Sequence, residues 1–536
     1  MAIAIDFGTS NTLITRWNAI KNEPEVLSLD RLSQQLVNNP PLIPSQIYVE
    51  DASQSKVVIG QALGDRGLDG QQHPEQRLYR NFKRGIGTTM QGFLPELDGK
   101  QITFEQLGSW FLGDVFQQLQ RQSETLDSLV MTVPVDSFEA YRSWLTEVCA
   151  TLPDIDKIQL LDEPTAAALG YGALEQNFKQ VLVVDFGGGT VDFSLVELNF
   201  TQGQTKPTGF IMRWAKKSYA DSSAQKARTA KVIAKAGKNL GGSDLDNWLF
   251  DYFQKQQNLP KDALSLRLVE RLKIQLSEKN KASEVYYNAE TFESIELNLT
   301  RAEFEGILQE QGFVGQLDGL MEQLLQQARR NGVSKEDIEA VLLVGGTSQI
   351  PAVQAWLKSY FLEEKIKNDN PFGAIAAGAL QLAQGFELKD FLYHSYGIRY
   401  WNRRNKCHDW HPIIPQGQPY PMSEPIEITL GASTEQQPSI ELIIGELGKQ
   451  SMGTEIYFDG DRLVTKTLGQ GQTNVKPLND RDGARTVAKL DPVGYPGNDR
   501  IKLQFLVDGD RCLRVTVEDL LRNVTLLENQ KVAEIS

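Results

Sequence analysis

Two stretches of the sequence place an aspartate at the end of an apolar strand and follow it with glycine and hydroxyl residues. The first reads AIAIDFGTSN around Asp6, and the second reads VLVVDFGGGT around Asp185. Glycines in such a turn can adopt positive φ and present bare backbone N–H groups to an anion, and the hydroxyl groups add further donors. The two stretches therefore predict phosphate-binding turns, although a single glycine cluster would suit a tight hairpin equally well.

The repetition of this pattern favours phosphate binding over a plain hairpin. The two copies lie about one domain length apart, which is too far for a solenoid repeat and indicates two similar half-domains. A nucleotide would then lie between the two halves. The carboxylates of Asp6 and Asp185 would converge there only with a divalent cation between them and the phosphates. Mg²⁺ fits, because it prefers oxygen ligands and keeps most of its waters.

Apolar periodicity predicts the elements that position these turns. Continuous apolar runs precede both aspartates and indicate strands that are buried on both faces. Outgoing strands follow at Thr12 to Trp17 and at Val191 to Leu198, and helical spacing is found from Phe104 to Gln122. The segment SLVMTVPVDSFEAYRSWL predicts a strand that ends at Pro134 and a helix that carries Arg142.

Further candidate residues occur at the ends of other apolar segments. The segment LLDEPTAAALGYG predicts a strand, the acid Glu163 and an alanine-rich helix begun by Pro164. The segment AVLLVGGTSQIPAVQAWL predicts another strand, glycine turn and helix, and the small-residue helix NPFGAIAAGALQLA is expected to pack close to it. Helical spacing in LRLVERLKIQLSEK places Glu270, Lys273 and Ser277 on one face.

Two segments concentrate basic residues. The glycine-flanked loop NFKRGIG carries Lys83 and Arg84, but basic residues on such a loop are usually solvated, so the loop alone predicts little. Residues 199 to 236 contain a single acid, Asp221. We expect this segment to be a solvated loop, with a docking surface for an acidic partner as the alternative. Its basic residues are Lys206, Arg213, Lys216, Lys217, Lys226, Arg228, Lys231 and Lys235.

Length and composition limit the classes of protein to which the chain can belong. Its 536 residues suffice for three or four domains with cores of their own. Only Cys149, Cys407 and Cys512 are present, at no metal-ligand spacing, which predicts a reducing compartment and by default the cytoplasm. The net charge of −14 argues against general binding of nucleic acids or anionic membranes.

The sequence also gives no sign of targeting to a membrane. No basic stretch precedes the N-terminal apolar run, which Asp6 interrupts, so we expect no signal peptide. No apolar run approaches the roughly 20 residues that a membrane span requires. Proteins and small molecules in solution remain as the expected partners.

The last part of the sequence has the alternation of a β-sandwich. Apolar and polar residues alternate between Gly or Asp turns in IEITLGAS, SIELIIGELG, TEIYFDG, IKLQFLVDGD and CLRVTVED. The loop YWNRRNKCHDWH carries Arg403, Arg404 and Lys406 beside Trp401 and Trp410. These side chains either point to water at a strand turn or line a cleft that selects peptides with acidic residues next to an apolar anchor.

Eight motifs in the same order give residues 1 to about 385 a resemblance to the ATPase domain of the 70-kDa heat-shock, DnaK-type chaperones. They are IDFGTSN, NFKRGIG, VPVDSFEAYR, LDEPTAAALGYG, VVDFGGGTVDFS, NLGGSDLDN, VERLKIQLS and LLVGGTSQIP. The resemblance implies an α/β chain with an actin-like, two-lobed ATPase domain, followed by a smaller all-β sandwich domain. It also implies ATP or ADP as the nucleotide, Mg²⁺, and K⁺ as a further cation.

The resemblance assigns roles to the residues that match the family's motifs. Asp6 and Asp185 would orient the hydrated Mg²⁺, and Lys83 would reach the γ-phosphate and the attacking water. The implied catalytic residues are Lys83, Glu163, Asp185 and Thr190. Gly8, Thr9, Ser10, Asn11, Gly188, Gly189 and Thr190 would cradle the phosphates, and the other implied nucleotide-binding residues outside the adenosine pocket are Asp6, Lys83, Gly187, Asp192, Gly241 and Gly242. Those that resemble the adenosine pocket are Glu270, Lys273, Ser277, Gly345, Gly346, Thr347 and Gln349. Pro134 and Arg142 resemble the switch that reports the nucleotide state outward.

Three positions depart from the family's pattern. Gln349 stands where the family has an arginine, Phe372 where it has an aspartate, and Ser243 where it has a glutamate. The phosphate-binding groups are all present. We therefore expect altered adenine stacking and lobe closure, and weaker ATP binding than is typical of the family.

The resemblance divides the chain into three parts: an ATPase domain at 1–385, an interdomain linker at 386–393, and a β-sandwich, substrate-binding-like domain at 394–536. The linker is degenerate, because Lys389 and Asp390 interrupt Leu388, Phe391 and Leu392. The sequence ends at Ser536, where relatives continue into a helical lid, so we expect no lid.

The implied function is that of an ATP-dependent molecular chaperone with slow ATPase activity. The implied partners are unfolded or extended polypeptides, a J-domain co-chaperone and a nucleotide-exchange factor, and we expect a monomer. One alternative is a nucleotide-binding partner or exchange factor for another chaperone, which the degenerate linker and the missing lid favour. The other is a sugar kinase or filament-forming protein with the same ATPase fold, which would leave the β-sandwich without a use.

Overall fold

The computed structural model describes most of the chain, in two compact units. The first unit contains the described residues from Ala2 to Ala383, and the second contains most of those from Leu392 onward. None of the described helices is long and apolar enough to cross a membrane. The described residues are 2–18, 20–21, 23–35, 39–68, 76–88, 95–122, 127–134, 139–152, 155, 157–172, 178–200, 228–288, 291–383, 392, 395–402, 407–415, 418, 420–422, 424–447, 453–459, 462–468, 475–478, 485–508 and 512–535.

The first half of the first unit is built on a mixed sheet of six described strands. Its elements are β1 (Ala2–Phe7), β2 (Asn11–Asn18), β3 (Glu23–Val26), β4 (Ile43–Pro44), β5 (Gln46–Asp51), β6 (Lys56–Ile59), α1 (Ala62–Asp65), β7 (Leu78–Arg80), β8 (Glu96–Leu97), β9 (Lys100–Gln101), α2 (Phe104–Gln122), β10 (Ser128–Val133), α3 (Glu139–Cys149), β11 (Lys157–Asp162) and α4 (Glu163–Gly170). The strand order is β11-β10-β1-β2-β3, and β4 also pairs with β2. Strands β1, β10 and β11 run parallel, so their carboxyl ends, and Asp6 with them, lie at one edge.

Local sequence explains where the helices of this half begin and which face they bury. Helix α2 has the predicted bounds, and its apolar residues Phe104, Phe111 and Val115 recur at helical spacing and are fully buried. Helix α4 begins as predicted around Pro164. The preceding Asp162 caps it, because its carboxylate accepts the Thr165 N–H at 2.8 Å.

The second half of the first unit contains a five-stranded described sheet with the order β14-β13-β12-β17-β18. Strand β12 pairs antiparallel with β13 and parallel with β17. The elements are β12 (Gln180–Phe186), β13 (Val191–Phe200), β14 (Arg228–Lys238), α5 (Gly242–Gln257), α6 (Ala263–Glu278), β15 (Lys281–Tyr287), β16 (Ser294–Thr300), α7 (Arg301–Glu310), α8 (Phe313–Arg330), β17 (Ala340–Val344), α9 (Pro351–Tyr360), β18 (Ile366–Lys367) and α10 (Ala374–Ala383).

The expectation of a solvated loop over residues 199 to 236 is wrong for the part that the structure describes. Arg228–Lys238 forms β14, the strand that pairs with β13. Lys235 is only 7% exposed despite its basic surroundings, because alternate residues of a strand face opposite sides. The basic residues of this segment from Lys206 to Lys226 lie outside the described residues.

The small-residue helix α10 packs against α4 and the first sheet, and the Pro371 carbonyl oxygen just before it accepts the Gly345 N–H of the turn after β17 at 2.8 Å. The two helices meet with almost no side-chain volume between them. A Cβ atom on Gly170 would lie 1.8 Å from the Ala374 carbonyl oxygen, and one on Gly378 would lie 1.8 Å from the Ala166 carbonyl oxygen. The alanine and glycine content correctly predicted that this helix packs closely. It could not predict that α4 is the partner helix, because these contacts join residues that are distant in sequence.

Described strands form antiparallel sheets after Leu392. Two larger sheets have the orders β20-β19-β23-β26 and β21-β28-β29-β30, and β22 pairs with β27 and β24 with β25. The strands are β19 (Ser395–Asn402), β20 (Cys407–Ile414), β21 (Ile426–Gly431), β22 (Gln437–Leu442), β23 (Ile444–Leu447), β24 (Gly453–Asp459), β25 (Arg462–Leu468), β26 (Val475–Pro477), β27 (Arg485–Gly494), β28 (Asp499–Val507), β29 (Cys512–Asp519) and β30 (Val524–Glu534). Alternating residues of β28 and β29, such as Leu503, Phe505 and Val515, are fully buried in one apolar core.

The described residues of the segment YWNRRNKCHDWH belong to β19 and β20. Strands β19 and β20 pair antiparallel, with Trp401 opposite His408. Trp401 is 48% exposed. Arg403, Arg404 and Lys406 lie outside the described residues, as does the predicted linker apart from Leu392.

Candidate active site

The first predicted phosphate turn connects β1 to β2, and the second connects β12 to β13. We call residues 8–10 the first turn and residues 187–190 the second turn. The two turns touch each other. A Cβ atom on Gly188 would lie 1.8 Å from the Ser10 Oγ atom, and one on Gly189 would lie 2.7 Å from the Thr9 Cγ2 atom. The structure therefore brings the two predicted turns together, and only glycine fits at the contact.

The first turn is tight and is tied to the rest of its sheet. A Cβ atom on Gly8 would lie 2.3 Å from the Asn11 carbonyl oxygen, so these two predicted residues close the turn. The Ser45 hydroxyl donates to the Gly8 carbonyl oxygen at 2.8 Å, and the Ser45 N–H donates to the Ser10 carbonyl oxygen at 2.8 Å. Sequence analysis missed Ser45, because its partners lie far away in the chain.

The N-terminus of α5 stands directly on the second turn. The Gly242 N–H donates to the Gly187 carbonyl oxygen at 3.1 Å, and the Ser243 N–H donates to the Gly188 carbonyl oxygen at 2.9 Å. A Cβ atom on Gly241 would lie 2.4 Å from the Gly188 carbonyl carbon. The predicted residues Gly241 and Gly242 thus join the turns, and they place the positive end of a helix dipole at the site.

Carboxylates with raised pKa values surround the turns. Loss of solvent raises the pKa of Asp6 to about 6, and the Glu163 carboxylate adds to the shift. Loss of solvent also raises the pKa of Asp185 well above its usual range, with further contributions from Glu163 and Asp192. The pKa of Asp192 rises to about 7 for the same main reason, and Thr190 hydrogen-bonds its side chain. Burial therefore disfavours the ionised form of these carboxylates, and a bound cation would favour it.

This donor set fits a hydrated magnesium ion. Asp6 and Asp185 end the central strands of the two sheets, at the turns that touch. In the described parts of the chain, no group of three or more His, Cys, Asp or Glu side chains could hold a metal ion directly. Mg²⁺ retains its waters readily, and a hydrated ion held by these carboxylates would stabilise their ionised form against the cost of burial.

Lys83 is a buried cation of this cluster and is not on a solvated loop. It lies in a 3₁₀ turn at Phe82–Gly85, and its Nζ atom is 3.1 Å from the Glu163 Oε1 atom. Burial lowers the pKa of Lys83, but the Glu163 carboxylate, with smaller contributions from neighbours that include Asp6, offsets this and leaves the pKa above its usual value. Lys83 thus stays protonated, as a residue that binds phosphate must.

Arg84 is a second buried cation, which sequence analysis noticed but assigned no role. Its side chain is 1% exposed, and its Nη1 atom lies 3.4 Å from the Asp244 Oδ2 atom. Its Nε and Nη2 atoms have no hydrogen-bond partner within the described ranges. The Arg84 Cδ atom lies 3.0 Å from the position of a Cβ atom on Gly189. A guanidinium with free N–H groups therefore stands beside the second turn.

Some of the predicted adenosine-pocket residues on α6 are already engaged in hydrogen bonds within the protein. Lys273 is buried, and its Nζ atom donates to the Asp246 carboxylate at 2.8 Å and to the Gly242 carbonyl oxygen at 2.9 Å. Burial raises the pKa of Asp246 to about 7, although Lys273 acts against the shift. The Ser277 hydroxyl donates to the Lys273 carbonyl oxygen at 3.2 Å. Glu270 is half-buried. Sequence analysis missed Asp246, although NLGGSDLDN shows two acids one turn into α5.

The turn after β17 contacts the second turn as well. Gly345 has a φ of +81°, and the Thr347 hydroxyl donates to the Gly187 carbonyl oxygen at 2.8 Å. A Cβ atom on Gly346 would lie 3.0 Å from the ring of Phe372. The Gln349 amide donates to the Ser348 hydroxyl at 3.1 Å. Phe372, one of the departures from the family's pattern, thus stands against this turn.

The predicted switch residues lie on elements that meet the site. Pro134 follows β10, and Arg142 is buried in α3. The neighbour of Arg142, Tyr141, faces Lys83 directly, with its ring centroid 6.0 Å from the Lys83 Nζ atom.

Comparisons with known proteins identify the family of the chain. The sequence model of the Hsp70 protein family matches residues 83–210 and 229–416, which is more than half of the chain. The chain belongs to the Hsp70 family. Similar Hsp70 relatives include the chaperone protein DnaK of Thermosipho melanesiensis and that of Thermotoga neapolitana, each 27% identical over 546 residues. The DnaK of Thermotoga maritima is 27% identical over 547 residues. Each match covers 97% of this chain and 78% of the relative.

Proposed function

We propose that this Hsp70 family member is an ATP-dependent chaperone that hydrolyses ATP slowly in an actin-like, two-lobed domain at 1–385. A linker at 386–393 would connect this domain to a β-sandwich at 394–536 that binds extended polypeptide. The observation that carries the proposal is the contact of the two glycine turns around buried carboxylates and an ion-paired lysine. This arrangement brings together N–H groups that can bind an anion, a buried cation, and carboxylates that can hold a metal ion.

The proposed reaction is phosphoryl transfer from ATP to water, in which the protein mainly positions groups and neutralises charge. The N–H groups of the two turns and the Thr190 hydroxyl would hold the phosphates. Lys83, held by Glu163, would neutralise charge on the γ-phosphate as it leaves. Bound Mg²⁺ would supply further neutralisation, and Asp6 and Asp185 would hold it through water. No strong base stands among these groups, so we expect slow turnover.

The proposed partners follow from the family. They are unfolded or extended polypeptides, a J-domain co-chaperone and a nucleotide-exchange factor, with the cytoplasm as the compartment and K⁺ as a further cation. The adenosine pocket at Glu270, Lys273, Ser277 and residues 345–349, and the switch at Pro134 and Arg142, also belong to this proposal.

A second candidate is a nucleotide-binding partner of another chaperone. The observation that favours it is the position of Phe372 against Gly346, together with an engaged Gln349 amide, which changes the surroundings expected for adenine. Such a protein would bind ATP with little peptide-dependent turnover. The match to the Hsp70 model gives no support to a sugar kinase or a filament-forming protein.

The experiment that separates these functions measures phosphate release from ATP without any sugar, in the presence and absence of an unfolded peptide. A chaperone releases phosphate and responds to the peptide, whereas a partner protein binds ATP without that response.

The Asp185→Asn variant adds a check on the metal site, because its Mg²⁺ titration should shift to higher concentrations. A titration that matches the parent would contradict the two-carboxylate assignment.

A further inference from the structure

Tyr141 lies in the first turn of α3 and faces the lysine of the proposed phosphate site. The residue is 4% exposed. Its ring centroid lies 6.0 Å from the Lys83 Nζ atom, and the ring centroid of Phe7 lies 5.6 Å from the same atom. The ammonium group therefore stands between two aromatic rings, whose faces attract a desolvated cation.

The Tyr141 hydroxyl is buried and has no hydrogen-bond partner among the residues that the structure describes. Burial raises the pKa of Tyr141 to about 12, so the hydroxyl keeps its proton. The contact between Tyr141 and the ammonium group of Lys83 is therefore made by the ring and not by a hydrogen bond from the hydroxyl.

The backbone also holds Tyr141 close to the turn that carries Lys83. Gly87, two residues beyond the 3₁₀ turn that carries Lys83, has a φ of +74°. A Cβ atom on Gly87 would lie 2.8 Å from the Tyr141 backbone nitrogen. Trp144 packs on the Tyr141 ring with centroids 5.5 Å apart. The lysine turn and the first turn of α3 are thus locked together at Tyr141.

We propose that Tyr141 is a positioning residue for Lys83: its ring, with that of Phe7, holds the ammonium group where it faces Glu163 and the phosphate turns. Tyr141 acts through Lys83 and touches no reacting atom. The role of Lys83 in turnover rests on the proposed function, whereas the holding of Lys83 is a property of the protein without nucleotide. The two claims can therefore be tested separately.

The first test needs no nucleotide. Trace acetic anhydride labels lysines according to their accessibility and freedom, and mass spectrometry measures the rate at Lys83. Tyr141→Leu removes the ring, Tyr141→Phe removes only the hydroxyl, and Trp144→Phe is a control for general loosening of α3. Lys273, which is buried and paired with Asp246, is an internal control in every sample.

We expect Tyr141→Leu to raise the rate of Lys83 labelling about fivefold to tenfold, because the desolvated ammonium group loses an aromatic contact. Tyr141→Phe keeps the ring and should stay near the parent, as should Trp144→Phe and the Lys273 readout. The proposal is overturned if Tyr141→Leu leaves Lys83 labelling at the level of Trp144→Phe, or raises Lys273 labelling equally.

The second test is single-turnover hydrolysis. Tyr141→Leu should lower the rate constant about tenfold and leave ATP affinity within about twofold, because Lys83 contributes mainly to the transition state. Tyr141→Phe, which keeps the ring, should stay near the parent rate. In a parent that hydrolyses ATP, an unchanged rate constant in Tyr141→Leu overturns the proposal. A parent without hydrolysis refutes the proposed function, and the labelling result then decides the role of Tyr141.

Discussion

Arg84 and Asp244 connect the two halves of the first unit through an ion pair, with the Arg84 Nη1 atom 3.4 Å from the Asp244 Oδ2 atom. Arg84 follows Lys83 in the same 3₁₀ turn, and Asp244 lies in the first turn of α5. Asp244 also accepts the Gly241 N–H at 2.8 Å. The pair therefore joins the lysine turn to the glycines that stand on the second turn.

The Asp244→Asn variant tests the energetic role of this pair. It keeps an oxygen acceptor for the Gly241 N–H but leaves the buried Arg84 charge without its partner. We expect the free energy of unfolding to fall by about 2 kcal/mol, because an uncompensated buried charge is strongly unfavourable. Urea unfolding followed by tryptophan fluorescence measures this. The control is Glu363→Gln, which breaks an exposed pair with Lys358 and should change stability little. Equal effects of the two substitutions would contradict a stabilising role for the pair.

The Gly188→Ala variant tests the contact between the two turns. The added Cβ atom would lie 1.8 Å from the Ser10 Oγ atom, so the turns must separate. We expect ATP affinity to fall at least about tenfold, since phosphate donors misplaced by an ångström lose most of their binding contribution. Calorimetric titration measures the affinity. Gly113→Ala in α2 is the control, because its added Cβ would meet no described atom within 4 Å apart from its chain neighbours and the backbone of its own helix. Normal ATP binding by Gly188→Ala would refute the assignment of the two turns.

The Asp192→Asn variant tests the cost of burying an ionised carboxylate through the pH dependence of stability without Mg²⁺ or nucleotide. Burial raises the pKa of Asp192 from 3.8 to about 7. The folded protein therefore binds this proton more tightly than the unfolded chain does, and ionisation destabilises the fold as pH rises from about 4 to 7. The stability of Asp192→Asn relative to the parent should increase across this range. The control, Asp337→Asn, removes an exposed carboxylate whose pKa is lowered. Its stability relative to the parent should show no such increase between about pH 5 and about pH 8. A difference for Asp192→Asn that is independent of pH would contradict the charge argument.

The Gln349→Arg variant tests the departure from the family in the turn after β17. A guanidinium plane can stack on adenine, whereas the Gln349 amide is engaged with the Ser348 hydroxyl. We expect ATP affinity to rise about fivefold, as for a cation–aromatic contact worth about 1 kcal/mol. Calorimetry on Gln349→Arg and on Gln349→Lys separates stacking from charge, because lysine brings the charge without the plane. An affinity that stays the same or falls in Gln349→Arg would show that the missing arginine does not limit binding.

Local sequence was sufficient to predict the elements that carry the site. Apolar runs ending in Asp6 and Asp185 predicted strands and turns at the right places, because strand burial and glycine turns have strong local signatures. Helix α2 was predicted with its observed bounds because its apolar residues recur over five turns.

Contacts between distant residues could not be predicted in this way. The residue types of Lys83 and Arg84 favour solvent, and only the carboxylates of Glu163 and Asp244, far along the chain, make their burial tolerable. Tyr141 was overlooked for the same reason, since nothing in its own segment indicates that it faces Lys83. The segment that contains β14 was misread because its high charge outweighed the alternation of its strand.

The most direct test of the account compares Lys83→Ala with the parent in single-turnover phosphate release and in calorimetric ATP binding. Lys83 and Glu163 form the buried pair at the centre of the site. We expect the rate constant to fall by at least about a hundredfold, equivalent to about 3 kcal/mol of transition-state stabilisation, while ATP still binds. Lys502→Ala, which removes a lysine paired with Glu427 in the second unit, should hydrolyse ATP at the parent rate. Phosphate release by Lys83→Ala at the parent rate would contradict the proposed active site.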